Sequence, residues 1–293
     1  MFDSFKKQRI NLSNGITINV RYAGNGPAVL LLHGYPQTSA CWHLVVPQLL
    51  AAGFSVVVPD LRGYGDSDKP ESAEDHNTYS KREMAKDQVL LMQALGHESF
   101  YLAGHDRGGR VAHRLALDYP DKVIKLSVLD IAPTATMYAE TNKVFATGYY
   151  HWFFLIQPAP LPETLISADP QFYLKSKLKG WGRSGLSVYS EDAMAEYLRC
   201  FKDPACIAAS CEDYRAAATI DLEHDIDDSD QKILCPLMAL WGDKGLVGEL
   251  YDVCATWREK AHSVTGSALP CGHFLPEEQP EETARLLVDF FDG

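Results

Sequence analysis

Gly104-His105-Asp106-Arg107-Gly108-Gly109 is the stretch on which the reading of this chain turns. It has the form of a nucleophile elbow, a sharp turn from a strand into a helix that exposes the central side chain, with aspartate where an esterase of the same pattern carries serine. A serine alkoxide attacks carbonyl carbon. A carboxylate does best by displacing a leaving group from saturated carbon, which leaves an alkyl ester on itself that water must then hydrolyse. The flanks supply the context that the motif needs. Ser99–Ala103 is a short β-prone apolar run, and Arg110–Tyr119 carries Val111, Leu115 and Tyr119 at helical spacing, so Asp106 is expected at the strand-to-helix turn. The plainer reading of Asp106 is a helix cap, which asks nothing further of the chain.

Outward from the elbow the pattern alternates. Strands are expected at 16–22, 28–32, 55–58 and 124–129, and helices at 41–50 and 81–95, with the glycine-rich loop Pro59-Asp60-Leu61-Arg62-Gly63-Tyr64-Gly65 between strand and helix. This order predicts an α/β fold, a mostly parallel sheet wrapped by helices on both faces. From Pro133 to about Leu222 the chain turns aromatic, proline-rich and helical in period, which reads as an inserted helical cap. The strand pattern resumes at 233–240, followed by helices at 248–260 and 280–291. The expected division is a core of 1–132 and 226–293 with a cap of 133–225. The acidic run Asp221–Asp230 lacks the glycine and glutamate of a calcium loop and reads as a solvated linker.

Composition bounds the rest. The 293 residues are 46% hydrophobic, ample for a buried core, and carry a formal net charge of -12. That charge argues against nucleic acid and against anionic membrane surfaces, and it requires local arginines if the substrate is an anion. The first nine residues lack the apolar stretch of a signal peptide, and no apolar run approaches the roughly 18 residues of a membrane span, so a cytoplasmic location is expected. Seven cysteines with no Cys-x-x-Cys pair fit reduced thiols, with neither a disulfide framework nor a metal expected.

Ester hydrolysis on Asp106 needs a general base. His273, in the loop before the last helix, stands where the order nucleophile, acid, histidine puts it. The acid that orients it is Asp130 or Asp243, each following a strand, and the residues alone leave the two open. Backbone N–H groups of Tyr35, in the turn His33-Gly34-Tyr35-Pro36, and of Arg107 are the expected donors to an oxyanion. Arg107 abuts the nucleophile and Arg110 lies one helical turn beyond it. Two guanidiniums there suit a substrate carboxylate, whose oxygens match the planar fork in two-point contact, and they favour the ionised form of Asp106.

Asp106 with Arg107 and Arg110, Asp130, His151-Trp152, Tyr214 and His273 together resemble the fluoroacetate dehalogenases, α/β-hydrolases that release halide from 2-haloacids, and the resemblance spans essentially the whole chain. It implies that Asp106 displaces halide, that Arg107 and Arg110 bind the substrate carboxylate, and that His151, Trp152 and Tyr214 cradle the departing halide. It also selects Asp130 over Asp243 as the acid behind His273. No cofactor or metal is implied, the partner is a small 2-haloacid, and a homodimer is expected because relatives commonly dimerise.

The nearest alternative is an epoxide hydrolase or haloalkane dehalogenase, which share the aspartate elbow. Those families usually place tryptophan directly after the nucleophile, where this chain has Arg107, and an epoxide hydrolase also wants two cap tyrosines. Tyr214 offers one, and Tyr138, Tyr149, Tyr150 and Tyr197 leave a second open. A binding protein that holds a small carboxylate without turnover would not need the base and the acid.

Overall fold

A computed structural model describes residues 1–293. Eight strands form one sheet: β1 (Lys6–Asn11), β2 (Thr17–Ala23), β3 (Ala28–Leu32), β4 (Ser55–Pro59), β5 (Phe100–His105), β6 (Val123–Leu129), β7 (Leu237–Gly242) and β8 (Val264–Leu269), in the order β1-β2-β4-β3-β5-β6-β7-β8. Pairing is antiparallel for β1 with β2 and β2 with β4, and parallel from there on. The fold is thus the mostly parallel, helix-flanked sheet expected. β3 and β4 are buried along their whole length. That explains why Ala-Val-Leu-Leu-Leu and Ser-Val-Val-Val-Pro read as continuous apolar runs rather than alternating ones.

On the core side lie α1 (Val46–Ala51), α2 (Lys81–Ala94) and α3 (Arg107–Asp118). Ser80 caps α2 by accepting from Glu83 N at 3.2 Å. Between β6 and β7 every element is helical: α4 (Thr134–Ala139), α5 (Lys143–Gly148), α6 (His151–Leu155), α7 (Leu161–Ala168), α8 (Pro170–Trp181), α9 (Glu191–Phe201), α10 (Pro204–Ala218) and α11 (Ile220–Asp227). The chain then adds α12 (Leu246–Leu250), α13 (Val253–Arg258), α14 (Leu275–Glu278) and α15 (Pro280–Asp292). No helix is long and apolar enough to cross a membrane.

Four sequence expectations change. β1 went unread because five of its six residues are exposed on an edge strand, leaving no alternation to detect. The single helix expected over 41–50 is a short 3-10 turn, Ser39–Trp42, followed by α1. The helix expected over 248–260 is two, because Asp252 is extended and caps α13 by accepting from Ala255 N at 2.9 Å. The acidic run is not a solvated linker. Most of it is α11, whose Asp221 accepts from Lys81 N at 2.7 Å, and Asp228 just beyond takes Arg82 and Arg114, each at 2.6 Å. A division at 225 would cut through this helix.

The parallel strands all deliver their loops to one edge. His33-Gly34-Tyr35 follows β3, Asp106 follows β5, Asp130 follows β6, and the loop with His273 follows β8, the carboxyl edge where such sheets bind ligands. The elbow itself depends on close backbone approach: a Cβ on Gly108 would lie 2.4 Å from the carbonyl oxygen of His33 and 2.5 Å from that of Leu32. Gly108→Ala is therefore expected to destabilise the protein by about 1–3 kcal/mol, read from the urea midpoint. Gly180→Ala, in α8 with nothing within 4 Å of the added methyl, is expected to be neutral or stabilising by up to about 1 kcal/mol. Equal effects at the two positions would refute this account of the elbow.

Candidate active site

Asp106 sits between β5 and α3 with φ 47° and ψ −116°, outside the regions comfortable for a side-chain-bearing residue. It makes no cap hydrogen bond to its helix, so the plain capping reading fails. Its carboxylate is instead met by the N–H of Tyr35, which donates to Oδ2 at 2.9 Å. Gly34 makes this approach possible, since a Cβ there would lie 2.5 Å from the Asp106 Cβ. The side chain is 7% exposed. Burial pushes its pKa up, but His273, His105, Arg107 and Arg110 together outweigh burial and hold it below the ordinary carboxylate value.

His273 is buried, and its Nδ1 hydrogen-bonds Asp130 Oδ2 at 2.6 Å. Asp130, itself at φ 52°, accepts at Oδ1 from Gly242 N at 2.9 Å. With both oxygens engaged, the carboxylate cannot rotate freely, and the imidazole it holds presents its other nitrogen. Asp243 is exposed, and no bond joins it to His273. Desolvation works against the charged form of His273, yet its bond to Asp130 and the charges of Asp130 and Asp106 raise the pKa above its ordinary value. His105, next to the nucleophile in sequence, turns its ring to the His273 loop and donates from Nε2 to the His273 carbonyl at 2.8 Å.

The arginines depart from the two-point contact expected of them. Arg107 is fully buried and spends its fork on Asp213, with Nε donating to Oδ2 at 3.0 Å and Nη2 to Oδ1 at 2.8 Å. Its Nη1 has no partner. Arg110 donates from Nη1 to the Ala132 carbonyl at 3.1 Å and to Thr134 Oγ1 at 2.8 Å, while Nη2 faces Met137 Sδ at 3.2 Å and Nε is unpartnered. Each guanidinium thus keeps one nitrogen unspent.

A cavity of about 10 Å3, room for little more than a single water, brings together Asp106, Arg110, Asp130, His151, Trp152 and His273. Arg107, Tyr214 and Tyr35 are not among its walls. They pack beside it: the Arg107 guanidinium carbon lies 4.1 Å from the Tyr214 ring centroid, and the Tyr214 ring lies 5.5 Å from His151 and 5.3 Å from Tyr35. The Arg110 guanidinium carbon lies 4.6 Å from the Trp152 ring centroid. His151 is buried, and desolvation lowers its pKa well below the ordinary value. Its Nδ1 and the hydroxyl of Tyr214 are buried without a hydrogen-bond partner.

Sequence reading missed Trp181, Met137 and Val247 in the cavity wall and Asp213 behind Arg107, and it named Tyr149, also in the wall, only as one of four candidates for an epoxide hydrolase's second tyrosine. The first three carried no motif. Asp213 adjoins Tyr214 in sequence, and a buried arginine next to a nucleophile demands an anion somewhere, but nothing in the linear order says where.

Residues 27–280 match the α/β-hydrolase fold family. A fluoroacetate dehalogenase of Burkholderia sp is 46% identical over 290 residues, covering 99% of this chain and 95% of that protein. A soluble epoxide hydrolase of Corynebacterium sp. (strain C12) is 36% identical over 281 residues, covering 95% of this chain and 94% of its own length. Among solved structures, one described as an α/β-hydrolase from Nostoc sp PCC 7120 superimposes with a TM-score of 0.97 at 58% identity over 99% of each chain.

If Asp130 is what raises the His273 pKa, Asp130→Asn removes the bond and the charge while leaving desolvation in place. The imidazole pKa, read by NMR titration, is expected above the ordinary 6.5 in the wild type and below it in the variant. An unchanged titration would show that the pair is not coupled as described.

Proposed function

The chain belongs to the α/β-hydrolase family, in its fluoroacetate dehalogenase branch, and from that premise we propose that it hydrolyses haloacetates through an ester on Asp106, turning fluoroacetate into glycolate and fluoride. The observation that carries this reading is a set of buried, unspent polar atoms at one small cavity: Arg110 Nε and His151 Nδ1 on residues that line it, and Arg107 Nη1 and the Tyr214 hydroxyl on residues packed beside it. Buried polar groups are ordinarily satisfied, and a ligand with a carboxylate at one end and a halogen at the other supplies partners for both kinds.

In the first step a carboxylate oxygen of Asp106 attacks C2 of the bound haloacetate. The new C–O bond forms as the carbon–halogen bond breaks, and the halide leaves with its electron pair. Arg107 and Arg110 hold the substrate carboxylate. His151, Trp152 and Tyr214 receive the halide, which matters most for fluoride, because it departs only if donors replace its hydration as charge develops. The depressed pKa of Asp106 supports an ionised nucleophile throughout the neutral range.

In the second step His273, oriented by Asp130, takes a proton from water, and the resulting hydroxide attacks the Asp106 carboxyl carbon. Backbone N–H groups of Tyr35 and Arg107 stabilise the oxyanion. The bond from that carbon to the ester oxygen then breaks, His273 returns its proton to that oxygen, glycolate leaves, and Asp106 keeps the oxygen from water. Alkylation helps the base: it removes the Asp106 charge that contributes to raising the His273 pKa, so the imidazole loses its proton more readily when it must act.

The helices between β6 and β7, α4 to α11, act as a cap over the sheet core, with the boundary after α11 at 227 rather than at 225. A cytoplasmic homodimer is the proposed working form. Seven unpaired cysteines suit a reducing compartment, and exposed Leu161, Leu165 and Phe172 on α7 and α8 offer apolar surface to a second copy. Light scattering on purified protein tests the dimer.

A second reading, epoxide hydrolysis, is favoured by Tyr149 in the cavity wall and Tyr214 beside it, the two rings each 5.5 Å from His151. Fluoride release from fluoroacetate, followed with an ion-selective electrode beside parallel assays on a haloalkane and on styrene oxide, separates the readings. Turnover of only the last two would sink the proposal. His273→Ala is expected to release halide once and then accumulate a carboxymethyl ester on Asp106, seen by mass spectrometry of the peptide. A stoichiometric burst without that adduct would exclude the aspartyl ester.

A further inference from the structure

Asp213 lies one residue before Tyr214 on α10, and its carboxylate gathers more than the fork of Arg107. Oδ2 accepts from Arg107 Nε at 3.0 Å and from the Tyr64 hydroxyl at 2.6 Å. Oδ1 accepts from Arg107 Nη2 at 2.8 Å and from Lys81 Nζ. The Asp213 carbonyl accepts from Arg107 Nη2 at 2.8 Å. Lys81 in turn lies 3.3 Å from Asp221 on α11. Asp213 is fully buried, and burial, which alone would push its carboxyl up, is overcome by Arg107 and Lys81, which hold it well below the ordinary range.

The chemistry makes this arrangement necessary. A fully buried guanidinium must find an anion, and the nearest in sequence to Arg107 is Asp106, the nucleophile itself. A fork closed on Asp106 would occupy the lone pairs that must attack carbon. In the structure no guanidinium donates to Asp106, whose bond comes from Tyr35 N–H alone. The fork is turned the other way, onto Asp213, and only Nη1 is left over.

We propose that Asp213 is a positioning residue that holds Arg107 off the nucleophile Asp106 and leaves its single Nη1 donor for the substrate carboxylate. Because Asp213 and Tyr214 are consecutive on α10, the same stretch of helix sets the arginine for one end of the substrate and the hydroxyl for the other. The inference rests on the haloacetate reading above for its kinetic consequence, and on geometry alone for the placement of Arg107.

Asp213→Asn keeps the shape and removes the charge that two cations share. In single turnover with chloroacetate, chloride release is expected to slow by roughly tenfold or more, while decay of the Asp106 ester, which depends on His273 and Asp130, stays within about twofold of wild type. Unchanged chloride release, or equal slowing of both steps as general disruption would produce, overturns the proposal. Tyr64→Phe removes one donor to Asp213 with both ion pairs kept; it is expected to slow the same step by about threefold and carries the test if Asp213→Asn does not fold. A crystal structure of Asp213→Asn gives a readout that does not depend on turnover: Arg107 shifted toward Asp106 supports the proposal, and Arg107 in its wild-type place opposes it. Wild-type protein that releases no halide from chloroacetate would defeat the functional reading, while the crystallographic comparison would still decide the role of Asp213.

Discussion

A carboxylate kept charged and unencumbered in a buried place is the constraint from which the rest of this molecule follows. Asp106 is 7% exposed at a turn with positive φ, and desolvation alone would push its pKa up. Cationic neighbours hold it ionised, yet any of them allowed to close on it would blunt it as a nucleophile. The structure meets both demands by supplying charge at a distance and committing the arginines elsewhere: Arg107 to Asp213, and Arg110 to Ala132 and Thr134. The positive field remains while direct contact is left to one backbone N–H.

The same constraint links the sheet to the helices above it. Parallel strands bring Tyr35, Asp106, Asp130 and His273 to one edge because each follows a strand of the same polarity. The inserted helices supply His151, Trp152, Tyr214 and Asp213. They are fastened by carboxylates as well as by apolar packing. Asp221 takes the Lys81 N–H at the start of α2, and Asp228 bridges Arg82 and Arg114. A segment that reads as solvent-seeking because of its acidity is held to the core by it, since a row of carboxylates is soluble only until arginines are set opposite.

Local signals made much of this legible. The elbow hexapeptide with its flanking strand and helix is a short-range pattern, and so are the apolar runs of β3 and β4. The edge strand β1 was not legible, because exposure on an open edge leaves composition unpatterned. Neither was the break between α12 and α13, where one aspartate caps a new helix inside what reads as a continuous one. The residues of the candidate site fall into the same two groups. Asp106 and His273 follow from motif and chain order, and Arg107 and Arg110 from their spacing to the nucleophile. His151, Trp152 and Tyr214 came only from family resemblance, since aromatics in a helical insertion are more often packing than chemistry.

By itself, then, the sequence determined the chemical type of the nucleophile, the order of strands and helices around it and the presence of two cations beside it, because each is written within a few residues of chain. Tertiary structure alone decided which way those cations turn and which buried donors stay unspent. The reason is physical: hydrogen-bond commitments at Asp106 are settled by groups such as Tyr64, Lys81 and Asp213, up to 149 positions apart, which become neighbours only when the inserted helices close on the sheet.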